Sequence, residues 1–297
     1  MQKVTFINAR HETIEINPYN PPYVFESIKG IDAINTSIVV HTPAGMDGAI
    51  YQDIFLDDRE ITLTLHIHGK DPADMYKKKQ ELIRLTGSGY YKNGVLGRLW
   101  YENDYGRWWI PAIVKQGAKQ LGKRLKNYLT MQVVFYCPDS AFRAEEATID
   151  KMAYIGGGFK FPLKIPAINQ LNPGVKFGLS GYLLSIYNDG DQDAPLELEI
   201  TGTAQRPKIE NKKTGEFLAV NRELAAGDRL IINTEPGAKR AEIVRSTGET
   251  EDAMGYIDPD STWFSLQTGY NTLEYTSGDD GTDAKVIIAT WSRYGGV

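Results

Sequence analysis

Apolar and polar residues alternate without a break over residues 61–69, ITLTLHIHG: Ile61, Leu63, Leu65 and Ile67 fall on one side, Thr62, Thr64, His66 and His68 on the other. A period of two is that of a half-buried β-strand. The same reading predicts strands over 98–102 and 107–114, joined by the turn Asn103-Asp104-Tyr105-Gly106, and over Tyr128–Cys137, stopped by Pro138-Asp139. Residues 115–126 break the pattern and carry Lys115, Lys119, Lys123, Arg124 and Lys126 among glycines, which predicts a protruding hairpin or loop. Helical spacing stands out in one place. Asp71 is a suitable N-cap, Pro72 a suitable first residue, and Asp74 adds acid to the first turn. Met75, Tyr76, Leu82 and Ile83 recur on one side, Lys77, Lys78 and Glu81 on the other, so a helix over about 72–86 is expected to lie on a sheet.

Beyond residue 139 the strand pattern stops, and Gly156-Gly157-Gly158 interrupts the chain. Strands are then predicted over 181–187, 196–202, 207–211, 229–233, 241–245, 263–266, 271–275 and 285–292, separated by clusters such as Asn188-Asp189-Gly190-Asp191 and Lys213-Thr214-Gly215. Many short strands with turns between them and no helix argue a β-sandwich. The expected organisation is a first domain over 1–142, a linker over 143–160 and a second domain over 161–297. The fold class is mainly β, with a single helix in the first domain.

Composition narrows the function. The 297 residues suit two ordinary cores, and no apolar stretch is long enough to span a membrane. MQKVTFINARHET has no apolar core behind a basic segment, so no secretory signal is expected. One cysteine, Cys137, rules out an internal disulfide and is expected to be a small buried strand residue. The net charge of −5 is uneven: residues 1–150 hold 18 basic and 18 acidic side chains, the remainder 15 and 20. Such a chain lacks the basic footprint of specific nucleic-acid binding.

Templates for chemistry mostly fail on residue type or spacing. His11-Glu12-Thr13-Ile14-Glu15 ends in Glu where a zincin helix needs a second His. No nucleophile elbow and no phosphate-binding glycine loop is present. His66 and His68 share a strand face and could approach one metal ion, but no third ligand is nominated, and a polar channel lining or subunit contact is the plainer reading. Asp189, Asp191 and Asp193 imitate the opening of an EF-hand, yet its sixth position is Ala194 and its twelfth Ile200, so a turn is preferred over a weak calcium site. The Asp279, Asp280, Asp283 cluster is weighed the same way. Trp100, Trp108, Trp109, Trp263 and Trp291 all fall in predicted strands and are expected to fill cores rather than form a sugar platform. No catalytic residue, cofactor or metal is expected.

The order of segments carries a resemblance. Gly45-Met46-Asp47-Gly48-Ala49-Ile50-Tyr51 precedes ITLTLHIHG; a single helix ending in LIRLTG follows; then come the hairpin RLWYENDYGRWWIPAIV and the strand TMQVVFYCPDSAF. In the second half, Asn188-Asp189-Gly190 leads to APLELEITG, Arg206-Pro207-Lys208-Ile209, LAAGDRLIINT, Trp263-Phe264-Ser265-Leu266 and GYNTLEY. In this order, over nearly the whole chain, the sequence resembles the distal tail proteins (Dit) of siphophages. The resemblance implies an amino-terminal β-barrel or sandwich domain that forms a homohexameric ring, coaxial with the tail tube. It implies a carboxy-terminal galectin-like β-sandwich outside the ring, where receptor-binding or baseplate components attach. The ring would join the tail-tube protein to the tail-tip or tail-associated protein and leave a lumen for the tape-measure protein and DNA. A virion location at the distal end of the tail follows, with assembly in the host bacterial cytoplasm. The family offers no catalytic residues to carry over. Some members hold extra carbohydrate-binding modules; this chain has no insertion large enough to be one.

A carbohydrate-binding β-sandwich protein for host-surface attachment is the main alternative; it would be monomeric and expose at least two tryptophans in a row. A β-rich glycosidase or lyase would need a cleft with paired carboxylates. A tube or baseplate protein of a contractile machine would share the first domain but not the partner set.

Overall fold

In a computed structural model of the chain, the residues described are 2–45, 47–87, 89, 91, 94–155, 181–278 and 284–297. They divide into two units: Met1–Glu145 with Arg293–Val297, and Glu146–Ser292. The stretch 143–160, read from sequence as a linker, carries short strands in its described part, and the last five residues belong to the first unit. The glycine run Gly156–Gly158 and the Asp279, Asp280, Asp283 cluster lie outside the described residues.

The first unit begins with β1 (Lys3–Ile7), β2 (Thr13–Ile16) and β3 (Tyr23–Lys29), then β4 (Thr36–His41), β5 (Ile50–Leu56) and β6 (Arg59–His68). After α1 (Pro72–Leu85) come β7 (Gly97–Glu102), β8 (Arg107–Leu125), β9 (Tyr128–Cys137) and β10 (Phe142–Ala144). The main sheet runs β2-β1-β7-β8-β9-β6-β3. Its ends meet, because Asn17, just past β2, bridges Val24 of β3, and the Phe25 N–H donates to the Asn17 carbonyl at 2.9 Å. The sheet therefore curls on itself around one core, its two end strands meeting at that single bridge. Phe6, Leu63, Leu65, Met131 and Phe135 fill that core, and Cys137 is fully buried at its rim, its thiol pushed up to about 12 by desolvation.

Residues 115–125 continue β8 instead of ending it at Val114, and Lys126 opens the turn to β9. The register against β9 shifts between Val114 and Gln116, again before Lys119, and again after Leu121. Such bulges interrupt the two-residue period, so the sequence pattern fades while the pairing goes on. In α1, the Asp71 side chain accepts from the Asp74 N–H, as a cap should. Its buried positions are Met75, Leu82 and Leu85; Tyr76 and Ile83 are exposed, contrary to the expected stripe. One residue is about 100° of helix, so Tyr76 and Ile83 stand outside the seam set by Met75 and Leu82. Tyr76 instead lies beneath the cations of Lys79 and Arg124.

The second unit has β11 (Thr148–Lys151), β12 (Ala153–Ile155), β13 (Gly181–Asn188), β14 (Leu196–Thr201), β15 (Ala204–Gln205), β16 (Lys208–Asn211) and β17 (Phe217–Ala219). It continues through β18 (Glu223–Leu224), β19 (Arg229–Asn233), β20 (Arg240–Val244), β21 (Thr250–Asp252), β22 (Gly269–Thr276) and β23 (Lys285–Thr290). Two sheets, β11-β23-β14-β19-β20-β21 and β12-β13-β22-β16-β17, enclose a second core that includes Leu198, Ile232, Leu273 and Tyr275. This is the expected β-sandwich. The segment 263–266 is not a strand: it is held by a single bridge, with Ala194 and Leu266 exchanging hydrogen bonds of 2.9 and 2.8 Å. Trp263 and Trp291 consequently lie outside strands, half-buried.

Arg59 extends the inward side of β6 beyond Ile61, and only 5% of it is exposed. Its guanidinium lies 5.0 Å from the Phe142 ring centroid. Nε donates to the Ser140 carbonyl at 3.0 Å, Nη1 to the carbonyls of Gly30 and Asp32 at 3.0 Å each, and Nη2 to that of Gly295. Replacing it by Met removes four hydrogen bonds from a charged donor and strands the buried Gly295 carbonyl. We expect Arg59→Met to cost on the order of 2–3 kcal/mol in urea unfolding, with Arg59→Lys recovering only part, since an ammonium cannot reach all four carbonyls.

Candidate functional site

β4 and β5 pair only with each other among the described residues, Ile38 opposite Ile54, Thr36 opposite Leu56 and Val40 opposite Tyr51. Every residue of both strands is exposed. Ile38 and Tyr51 are each 59% exposed and Phe55 57%, with Val39, Val40, Ile50, Ile54 and Leu56 exposed beside them. A two-stranded ribbon is marginal in water without a packed face. An apolar surface of this extent marks a place where another surface docks. Residue reading missed it because alternation fails here: apolar residues occupy both sides of the ribbon. The usable signal was the two apolar triplets, Ile38-Val39-Val40 and Ile54-Phe55-Leu56, flanking a turn-rich stretch with Gly45 and Gly48.

His66 and His68 do share a face, where both rings pack against Tyr128, at centroid distances of 4.6 and 4.7 Å. His66 Nε2 is 3.2 Å from Glu26 Oε2, and its Nδ1 is 3.1 Å from Thr130 Oγ1. Both ring nitrogens of His66 thus have protein partners. Among the described residues no group of three His, Cys, Asp or Glu side chains converges to hold a metal ion. The Asp189-Gly190-Asp191 loop is organised by buried Asn188: its Nδ2 donates to the carbonyls of Gln192 (3.0 Å) and Leu266 (3.1 Å), and its Oδ1 accepts from the Gly190 N–H (3.1 Å). Asp189, Asp191 and Asp193 are exposed on this loop.

Trp108 and Trp109 are buried, and Trp100, Trp263 and Trp291 half-buried. Arg107 lies over Trp100 at 4.5 Å, and Arg98 and Arg143 over Trp109 at 4.7 and 4.9 Å. No row of exposed tryptophans exists, which the carbohydrate-binding alternative requires.

The second unit holds a dense charge cluster. Arg245 Nη1 donates to Asp228 Oδ2 at 2.8 Å and its Nε to Glu251 Oε2 at 2.9 Å; Tyr256 donates to Glu251 Oε1 at 2.9 Å. Burial of Asp228 opposes its charge, but Arg245 and the backbone N–H groups of Ser246 and Ala225 outweigh that and hold its carboxyl below the ordinary value. Glu251 is also lowered, by the hydrogen bonds from Arg245 and Tyr256.

Residues 189–291 match the family described as siphovirus-type tail component, C-terminal domain, and residues 10–118 match the phage tail protein RIFT-related domain. The crystal structure of the SPP1 Dit protein, described as a paradigm of the hub adsorption apparatus in phages infecting Gram-positive bacteria, shares the fold. Its TM-score is 0.64 at 12% identity, with 96% of this chain and 98% of that one covered. A chain of the phage p2 baseplate in its calcium-activated conformation superposes with a TM-score of 0.58 at 10% identity, each chain covered in full. The strontium-activated form gives the same values. No curated protein matches the chain by sequence.

Because Asp228 and Glu251 titrate lower in the fold than in the unfolded chain, their contribution is present above the unfolded carboxylate range and lost as pH falls through the folded values. Urea midpoints should therefore fall between about pH 6 and about pH 3. Asp228→Asn should flatten that dependence; an unchanged pH profile would count against the cluster's role.

Proposed function

Because this chain belongs to the distal tail protein family of siphophages, we propose that it is the hub of the tail tip, closing into a homohexameric ring through its first unit. Its role is structural, at the distal end of a phage tail. The observation that carries the ring is the exposed apolar hairpin β4–β5. A head-to-tail contact, repeated around an axis until the rotation closes, gives each hairpin one neighbour to cover it. The hairpin's outer edges, unpaired among the described residues, supply main-chain hydrogen-bond groups for that neighbour as well.

On this reading the ring joins the tail-tube protein to the tail-tip protein and leaves a lumen for the tape-measure protein and DNA. The second unit, a sandwich, offers the outward surface to receptor-binding or baseplate components. It acts by shape and association, without a catalytic step, in a virion assembled in the bacterial cytoplasm. A lumen that passes DNA should not be strongly basic, since a basic wall retains phosphates. The β8–β9 arm with exposed Lys119, Lys123, Arg124 and Lys126 therefore faces away from the lumen.

Mass photometry with negative-stain imaging tests the ring. The wild-type chain should form closed rings when concentrated, since assembly follows protomer concentration. Exchanging the facing pair Ile38 and Ile54 for Glu should leave single chains with unchanged circular dichroism, because both side chains are exposed in the monomer. Each desolvated aliphatic side chain contributes about 1.5–3 kcal/mol, so assembly should weaken by at least about tenfold. Rings that survive the double change, or a wild-type chain that stays single when concentrated, would defeat the proposal. In an image of the ring, the β8–β9 arm should lie outside the inner wall.

A further inference from the structure

Charge separates two regions of the first unit. Residues 30–58, which include β4 and β5, hold five acids (Asp32, Asp47, Asp53, Asp57 and Asp58) and no lysine or arginine. Residues 115–126, the last part of β8 with the start of its turn, hold five cations and no acid. We propose that each acidic hairpin docks on the basic face that α1 and the β8–β9 arm form on a neighbouring copy. This rests on the ring reading above and supplies the other half of its contact.

The face exists because the arm runs back along the helix. The Ala118 N–H donates to Thr86 Oγ1 at 3.1 Å, and Lys79 Nζ donates to Gln120 Oε1 at 3.0 Å. Further along, the Arg124 guanidinium lies 5.7 Å from the Tyr76 ring centroid. Tyr76 and Ile83, seven residues apart, share one side of α1, and both are exposed. Lys119, Lys123 and Lys126 are exposed on the same arm. An apolar strip among cations thus matches the hairpin, where exposed Ile38, Ile54 and Phe55 lie among acids. Among the described residues, no ion pair engages the five acids or Lys119, Lys123, Arg124 and Lys126; only Lys115 of the arm is paired, with Glu60.

Topology keeps a chain from pairing the two regions itself. β6 and β9 pair over ten residues, from Arg59 opposite Cys137 to His68 opposite Tyr128. The hairpin leads into β6 at the first end, and the arm leads into β9 at the other. At about 3.3 Å per residue the two roots lie roughly 30 Å apart. With every residue of β4 and β5 exposed, the hairpin is not folded back across that distance. A plug at one end and its complement at the other make a head-to-tail contact. Apolar burial supplies the affinity, and the charges fix partner and register.

Charge exchange, read by mass photometry, tests the pairing. One variant reverses the arm (Lys119→Glu, Lys123→Glu, Arg124→Glu), the other the hairpin (Asp47→Lys, Asp53→Lys, Asp58→Lys). All six side chains are exposed, and circular dichroism checks both folds. Each variant alone sets like charges together, so ring assembly should need about tenfold or more protein than the wild type. An equal mixture should assemble near the wild-type concentration, because every contact in an alternating ring again joins opposite charges. Carbodiimide treatment of wild-type rings needs no variant and decides the matter if one misfolds. It should join Asp53 or Asp58 of one copy to Lys119 or Lys123 of the next, in dimer bands mapped by peptide mass spectrometry. Variants that each assemble like the wild type, a mixture of folded variants no better than its components, or rings without those crosslinks would overturn this pairing and leave the ring standing. A wild-type chain that forms no ring would remove both.

Discussion

Apolar surface left in water is the constraint that organises this protein. Each sheet of both units has a face that must be covered, and two cores achieve this: one inside the curled sheet of the first unit, one between the two sheets of the second. The β4–β5 hairpin is the exception. Eight of its large apolar side chains stand exposed on a ribbon with no third strand among the described residues. Water penalises that arrangement in proportion to area, and a ribbon this thin cannot bury its own faces. A neighbouring copy removes the penalty. Folding and assembly then draw on the same driving force, and a protein that works by closing a ring needs no other chemistry to do so.

The first unit solves a second problem by polar means. Its chain leaves after β10 and returns at Arg293–Tyr294, which pair with each other as Phe142 opposite Tyr294 and Arg143 opposite Arg293. The returning tail is short, with Tyr294 and Val297 packed at the edge of the first core. It is held by Arg59, which gathers carbonyls from Gly30, Asp32, Ser140 and Gly295, by Arg293 bonded to Asp139, and by the Val297 N–H on the Ile31 carbonyl. A buried guanidinium suits this task, because its planar donors point in several directions at once.

Chemistry-bearing residues largely serve architecture. His66 is engaged by Glu26 and Thr130, Asn188 organises the acidic loop, and Trp100 and Trp109 lie beneath arginines.

Local periodicity determined a good deal. The alternation of β6, the Asp71-Pro72 start of α1, the β7–β8 hairpin and the longer sandwich strands β13, β14, β16, β19, β20, β22 and β23 were legible, because burial in a strand or helix repeats every two or 3.6 residues along the chain itself. What escaped depends on contacts between distant segments. Whether Tyr76 or Met75 faces the sheet is a rotation of one residue, settled by the strands beneath the helix. The bulges hide the continuation of β8, since each one resets the period. No sequence spacing shows that positions 30, 32, 140 and 295 will surround Arg59. The exposed hairpin is the clearest case: its sequence reads as apolar and therefore buried, and only the tertiary structure shows that this chain alone has nothing to cover it.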